Sequence, residues 1–178
     1  MKHVMLRLAR AASAATALFV VSCASIMEPP ATSEAPIRTD RDRYTVRSTE
    51  QGLEVKIAFT YVNRTGKTVF VTNCRGIAPP SLEKWDGSEW VHAWAPAVPL
   101  CLSPPIVIRP GETHTDTLHV VAGTPGGNVE PTFRVDEIEG SYRLVWHGVV
   151  HDYDANRQGF GNPLPLEERV SNVFKLER

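Results

Sequence analysis

The stretch from Leu53 to Asn63, LEVKIAFTYVN, constrains the fold most strongly because every second residue in it is apolar. An apolar period of two over eleven residues is typical of a β-strand with one buried face. The turn residues of Asn63–Gly66, NRTG, are followed by the β-type run TVFVTN, so a second strand and a hairpin are predicted. The apolar positions of the first strand are Leu53, Val55, Ile57, Phe59 and Tyr61.

The same alternation recurs along the rest of the chain. It is present in THTDTLHVV from Thr113, in SYRLVWHGV, where Tyr142, Leu144 and Trp146 share one phase, and in VSNVFKLE near the C-terminus. We count seven to nine strands, which clusters of Pro, Gly, Asn and Asp separate, and find no convincing amphipathic helix. Short strands with such turns predict an all-β fold, either an antiparallel sandwich or a barrel.

The N-terminus has the layout of an export signal. Lys2, Arg7 and Arg10 precede a run from Ala11 to Val21 that is apolar apart from a serine and a threonine. Such a charged-then-apolar segment is typical of a secretory signal peptide. Eleven residues are too few to cross a bilayer, which needs about 20 helical residues. A signal peptide over residues 1–22 is therefore predicted rather than a membrane helix.

The motif VVSC, Val20 to Cys23, follows this run and resembles the lipobox of bacterial lipoproteins. The resemblance implies cleavage before Cys23 and attachment of a diacylglyceryl group to its thiol, with acylation of the new amine. Several acyl chains anchor a protein stably, whereas one binds marginally. The implied location is the bacterial cell envelope, with the outer membrane preferred because Ala24 is not aspartate. An ordinary signal cleaved elsewhere is the alternative, and it would leave a soluble protein.

The mature chain divides into a tether and one domain. Residues 23–42 are rich in Pro, Ala, Ser and Thr without an apolar period, and they are expected to form a disordered, lipidated tether. Residues 43–178 are long enough for one domain with its own core. Loss of residues 1–22 leaves 16 basic and 20 acidic residues, a net charge of −4. This balance argues against a nucleic-acid partner, which requires a basic face.

A second resemblance concerns the domain itself. IEGSYRLVW, Ile138 to Trp146, is similar to the G-x-Y corner that opens a late strand of immunoglobulin-like domains. The resemblance implies an immunoglobulin-like antiparallel β-sandwich in which the Tyr142 hydroxyl binds upstream backbone. Leu144 stands where antibody domains carry a core cysteine, so their disulfide between the sheets is not expected. The segments PGET, from Pro110, and WDGSEW, from Trp85, also fit this group.

Once Cys23 is assigned to lipid, two cysteines remain, Cys74 and Cys101. In an oxidising compartment they are expected to pair, which would stabilise the fold by about 3–4 kcal/mol on the chain-entropy model. Reduced thiols, buried or metal-bound, are the alternative. The segment between them also carries three of the four tryptophans, which either fill the core or form an exposed aromatic surface within residues 75–105. These are Trp85, Trp90 and Trp94, and the turn at Asp86-Gly87 can bring the first two together across a hairpin.

Two groups of residues carry side chains that can bind a metal ion. The mature chain keeps five histidines, which the strand pattern treats as ordinary surface residues, namely His92, His114, His119, His147 and His151. DYDANRQGF, from Asp152, begins like an EF-hand calcium loop with oxygen ligands at Asp152, Asp154 and Asn156. It departs from that loop because Arg157 replaces its glycine and Pro163 its bidentate glutamate. No metal site and no cofactor are therefore expected.

The sequence contains no motif of the G-x-S-x-G or H-E-x-x-H type and no phosphate-binding glycine loop. We therefore expect a non-enzymatic envelope lipoprotein that serves as an interaction or structural module, held at the membrane by lipid. Its partner would be an envelope protein or a glycan, which the tryptophans Trp85, Trp90 and Trp94 would bind. Two alternatives stay open, a ligand- or metal-binding lipoprotein and a domain similar to proteinase inhibitors.

Overall fold

A computed structural model describes residues 28–30, 34–97, 103–125, 129–157 and 159–178. This part of the chain is all-β, as predicted, with one short 3₁₀ helix at Leu166–Glu168 and no α-helix among the described residues. The strands in chain order are β1 (Ile37–Thr39), β2 (Arg43–Thr45), β3 (Arg47–Thr49), β4 (Gly52–Val62), β5 (Val69–Val71), β6 (Ser81–Trp85), β7 (Trp90–Trp94), β8 (Ile106–Ile108), β9 (Thr113–Ala122), β10 (Gly140–Val145), β11 (Val149–Val150), β12 (Tyr153–Asp154), β13 (Gly159–Phe160) and β14 (Phe174–Glu177).

The first large sheet is built on β4. The long strand β9 pairs antiparallel with one edge of β4 over its whole length, and the short strands β1 and β3 share the other edge. The alternation predicted for β4 is confirmed, because each of its five apolar residues is at most 4% exposed. One face of this sheet therefore contributes a continuous apolar layer to the core.

The second large sheet has the order β2-β14-β10-β6-β7. Its neighbours are antiparallel except for β2 and β14, which run parallel. On β10 the alternation is again confirmed, since Tyr142 and Leu144 are fully buried while Arg143 lies on the opposite face. Most of the buried apolar residues of both large sheets belong to one hydrophobic cluster.

The hairpin predicted between β4 and β5 is wrong. β5 instead lies between β8 and β11 in a separate three-stranded sheet, and β12 and β13 form a two-stranded hairpin. The physical reason lies in Asn63, which is buried at the end of β4. Its side-chain amide donates hydrogen bonds to the carbonyls of Lys67 and Ile108, both 2.8 Å away. These bonds bind the turn to the start of the β8–β9 connection and direct β5 away from β4.

Trp146, directly after β10, lies at the centre of the packing and is 2% exposed. Its ring makes edge contacts with Phe59 and Tyr61, with centroids 5.7 and 5.6 Å away. Its indole N–H donates to the carbonyl of Ala78 at 2.7 Å, so the polar atom of this large side chain is satisfied. Trp146 thereby joins β4, β10 and the segment before β6.

The domain begins earlier than predicted. β1 lies inside the predicted tether of residues 23–42, and Ile37 is fully buried opposite Tyr61 of β4. Ile37 is a lone apolar residue among prolines, serines and threonines, so periodicity gave no sign of its strand. Among the described residues there are fourteen strand segments, more than the predicted seven to nine, because eight of them are short pieces of two or three residues.

The signal peptide predicted over residues 1–22 and Cys23, the predicted site of lipid attachment, lie outside the described residues. Within the residues that the structure describes, no helix is long and apolar enough to cross a membrane.

Candidate functional site

Trp85 and Trp90 face each other across the β6–β7 hairpin, as predicted. They are direct partners in the strand register, and their rings meet edge to face with centroids 5.5 Å apart. The turn between them is closed by the Asp86 carboxylate, which accepts hydrogen bonds from the N–H groups of Ser88 and Glu89 at 2.8 Å. These bonds hold the pKa of Asp86 below its usual range, and the bond from the N–H of Glu89 has the largest effect. The turn thus fixes the geometry of the tryptophan pair.

Trp94 does not belong to this surface, so its place in the predicted binding surface is wrong. It is 2% exposed and lies opposite Leu82 in the core. A register irregularity between Leu82 and Glu83 adds a residue to β7. Such a bulge changes which side chains face the core. Simple alternation places Trp90 and Trp94 on the same face of β7, so it could not predict that Trp90 is half-buried at the surface while Trp94 lies in the core.

Arg143 of β10 completes the surface. Its guanidinium carbon lies 4.5 Å from the centre of the Trp90 ring. Its Nε and Nη2 atoms donate to Oε2 of Glu83 at 2.7 and 2.6 Å. The side chains of Arg143 and Glu83 are only 11% and 17% exposed, so solvent screens this ion pair weakly. Sequence reasoning missed both residues.

We call this surface the tryptophan face and define it as Glu83, Trp85, Trp90, His92 and Arg143. Cross-strand register places the five side chains on the side of the sheet opposite Leu82 and Leu144. Two half-buried indole rings provide flat apolar area with few rotatable bonds, and the arginine charge beside them is balanced by Glu83. Such an amphipathic aromatic platform suits stacking against a sugar ring or packing against a peptide.

A serine–histidine contact lies at the other end of β6. The Ser81 hydroxyl and Nε2 of His147 are 2.7 Å apart, and the same hydroxyl donates to the Val145 carbonyl at 3.3 Å. Ser81 is only 2% exposed, so its oxygen is not accessible to a substrate. Within the described chain, no carboxylate is bonded to the other nitrogen of His147. The contact therefore joins the start of β6 to the turn that follows β10.

The remaining histidines lie apart from one another. His114 packs against the Trp146 ring at 5.5 Å, His119 bonds Oε1 of Glu54 at 2.6 Å, and His151 contacts the Thr68 carbonyl at 3.2 Å. The bond with His119 is the main cause that lowers the pKa of Glu54. Among the described residues no three His, Cys, Asp or Glu side chains come close enough to share a metal ion.

The loop considered for calcium connects β12 and β13. Oδ1 of Asp154 accepts the N–H groups of Asn156 at 2.9 Å and Arg157 at 3.2 Å, and its other oxygen pairs with the Arg157 guanidinium at 3.8 Å. The carboxylate thus closes a turn in the manner of an Asx turn. Across the hairpin, the backbone carbonyl of Asp152 accepts a hydrogen bond from the N–H of Gly161 at 2.8 Å.

Cys74 takes part in a disulfide. Its predicted partner, Cys101, lies outside the described residues, so the Cys74–Cys101 pairing stays a prediction. Residues 98–102 of the predicted binding segment 75–105 also fall outside the described part of the chain.

An aromatic cluster that sequence reasoning missed lies on the small sheets. Phe70, Tyr153 and Phe160 pack side by side, with Tyr153 5.8 Å from Phe70 and 5.0 Å from Phe160. Phe70 lies more than 80 positions before the other two, and no local pattern connects them. They border a surface depression of about 550 Å³ together with Asp152 and Arg157.

The imidazoles near the tryptophan face should make the domain sensitive to mild acid. Burial lowers the pKa of His92 and of His147, and Arg134 and Arg169 respectively lower it further. Unfolded histidine titrates near pH 6.5, so between that pH and the lower folded values the unfolded chain binds more protons. The contribution of these two histidines to the free energy of unfolding is therefore fully present above about pH 6.5. It is lost as the pH falls through their folded-state pKa values. Thermal unfolding should show a larger drop in Tm from pH 7.5 to 5.5 for the wild type than for a His92→Gln/His147→Gln variant. Equal drops would contradict this assignment.

No protein-family model matches this chain, and no curated protein sequence matches it significantly.

Proposed function

We propose that this protein is a lipid-anchored component of the bacterial cell envelope whose immunoglobulin-like domain binds a partner through the tryptophan face. The proposal rests chiefly on one observation, the pairing of Trp85 with Trp90 beside the largely buried Arg143–Glu83 ion pair. A half-buried aromatic platform held by a turn and an ion pair is ordered before it meets a ligand, which reduces the entropy lost on binding.

An immunoglobulin-like sandwich is favoured by the path of the N-terminal strands. β1 pairs antiparallel with β4 of one large sheet, and β2, four residues later, pairs parallel with β14 of the other. In addition, the Tyr142 hydroxyl donates to the carbonyl of Ile138 at 2.6 Å, which is the bond of a tyrosine corner. Leu144 is buried at the position where antibody domains carry cysteine.

The lipid anchor is supported by the lipobox-like VVSC motif and the short polar segment between Cys23 and β1. Acyl chains would hold the domain within a few tens of ångströms of the membrane and raise its effective concentration toward envelope partners. The outer membrane is the preferred location. No enzymatic step is assigned to the domain.

Lipidation is tested by metabolic labelling with an alkyne-tagged palmitate in a Gram-negative host that expresses the full chain. We expect the wild type to be labelled and to sediment with membranes, and Cys23→Ser to lose both properties. Label retained by Cys23→Ser, or a wild type found entirely in the soluble fraction, would overturn the anchor.

The binding face is tested by photo-crosslinking in cells with p-benzoylphenylalanine at position 85. The matched control carries the same group at position 64, in the exposed turn that follows β4. We expect adducts at position 85 only, and digestion with lysozyme or protease then distinguishes a glycan from a protein partner. Absence of adducts at 85, or equal adducts at both positions, would refute the tryptophan face as the binding surface.

A further inference from the structure

The strand β9 has one edge without a partner strand in the described part of the chain. Its other edge is paired with β4 at all ten positions, from Thr113 opposite Val62 to Ala122 opposite Leu53. On the unpaired side, the first backbone contact comes only after the strand, where the N–H of Gly123 donates to the Pro131 carbonyl at 2.9 Å. Among the described residues, this edge is therefore long and open.

The strand register identifies which backbone groups point outward. The carbonyl of Ala58 and the N–H of Val62 bond Asp40 and Pro36, on the side of β4 away from β9. Because antiparallel partners alternate, odd-numbered residues of β4 bond even-numbered residues of β9. The backbone groups of the odd-numbered residues of β9 consequently face outward, and these residues are Thr113, Thr115, Thr117, His119 and Val121.

This edge lacks the features that usually prevent strands from pairing. β9 contains no lysine, arginine or proline, and its bonded register with β4 runs without a bulge. Within the part of the chain that the structure describes, only one outward group of the strand is covered, since the Asp116 carboxylate accepts the N–H of Thr117 at 2.7 Å. The outward residues are exposed, and four of the five are β-branched, which favours strand pairing. An edge of this kind is a template for another strand.

We propose that a second copy of this chain pairs with it, β9 to β9 in antiparallel orientation about a twofold axis near Thr117. In this register Thr117 lies opposite its own copy, Thr115 opposite His119, and Thr113 opposite Val121, so no like charges face each other directly. Asp116 lies opposite Leu118, whereas a shift of the axis to Asp116 would set two carboxylates against each other. The edge is thus complementary to itself, as a twofold interface requires.

Confinement to a membrane favours a second copy over a dilute partner. This part of the inference rests on the proposed lipid anchor, which would hold all copies at similar heights and raise their effective concentration. The pairing leaves the tryptophan face free, because that face belongs to the other large sheet. A dimer would therefore present two binding surfaces.

The dimer is tested first by crosslinking of the full chain in membranes. Thr117→Cys should form a disulfide dimer on mild oxidation, since residues directly opposite in such a ladder have Cα atoms about 5.5 Å apart. Lys56→Cys is the matched control, exposed on the same sheet but on the central strand β4. Dimer formed equally by both variants, or by neither, would overturn the proposal. Adducts of the Thr117→Cys variant formed only with a different protein would overturn it as well.

A second measurement separates failure of this proposal from failure of the anchor. The mature chain with Cys23→Ser is studied by sedimentation velocity over a range of concentrations, so that association is observed without lipid. We expect Thr117→Lys, which places two ammonium groups opposite each other, to weaken the dimer at least about tenfold, while Ser48→Lys on β3 leaves it unchanged. A wild type that stays monomeric throughout, with palmitate labelling intact in cells, would refute β9 pairing alone.

Discussion

Replacement of Trp146 by alanine is expected to destabilise the domain by about 3–5 kcal/mol, the range for large-to-small changes at aromatic core positions. The side chain is 2% exposed and its ring contacts Phe59, Tyr61 and His114. Removal would also leave the Ala78 carbonyl without the indole donor now 2.7 Å away. Because small domains are stable by only about 5–15 kcal/mol, this loss should remove a large share of the free energy of unfolding and lower the Tm by many degrees.

Urea denaturation, followed by tyrosine and tryptophan fluorescence and by circular dichroism, measures this loss. Trp85→Ala is the matched control, since Trp85 is half-buried at the end of a hairpin and should lose less than half as much stability. Similar losses at both positions would contradict the central role of Trp146 in the core. The free energy of unfolding of Trp146→Phe should fall between those of the wild type and Trp146→Ala, because phenylalanine keeps ring contacts but loses the hydrogen bond to the Ala78 carbonyl.

The parts of the fold that follow from local chemistry could be predicted from the sequence. Alternation placed the side chains of β4 and β10 on their correct faces, and Asp86-Gly87 identified the β6–β7 turn. These features depend on residues within about ten positions of each other. They require no knowledge of which strands are neighbours in space.

The features of the fold that were not predicted depend on contacts between residues that are far apart in the sequence. Asn63 redirects the chain through a bond to Ile108, 45 residues later, and Ile37 becomes a strand only because Tyr61 lies opposite. Trp94 enters the core through a one-residue irregularity in register. None of these causes leaves a periodic pattern in the sequence.

In the candidate site, too, the residues that are close in sequence were predicted and those that are distant in sequence were not. Trp85 and Trp90 were found because both belong to one hairpin, whereas Arg143 reaches them from β10. The sequence contains one indication of this position. Arg143 alternates with the apolar residues Tyr142 and Leu144, so its side chain is expected on the outer face of the sheet. Its partner Glu83 is 60 residues away, and only the pairing of β6 with β10 brings the two together.

Removal of Glu83 should have the second large effect, about 3 kcal/mol for Glu83→Ala, near the lower end for breaking a buried ion pair. The loss arises because the Arg143 charge, only 11% exposed, would remain without its carboxylate. A fully exposed pair would contribute at most about 1 kcal/mol, so the measured value also reports how far the pair is removed from water.

A double-mutant cycle isolates the coupling between the two residues. Glu83→Ala, Arg143→Met and the double variant are compared with wild type in urea unfolding, and the double variant should be more stable than Glu83→Ala alone. That result is expected because methionine replaces the unpaired guanidinium with an apolar chain against Trp90. Additive losses would mean that Glu83 and Arg143 act independently, and the tryptophan face would then lack the ion pair that we expect to hold Trp90 in position for a ligand.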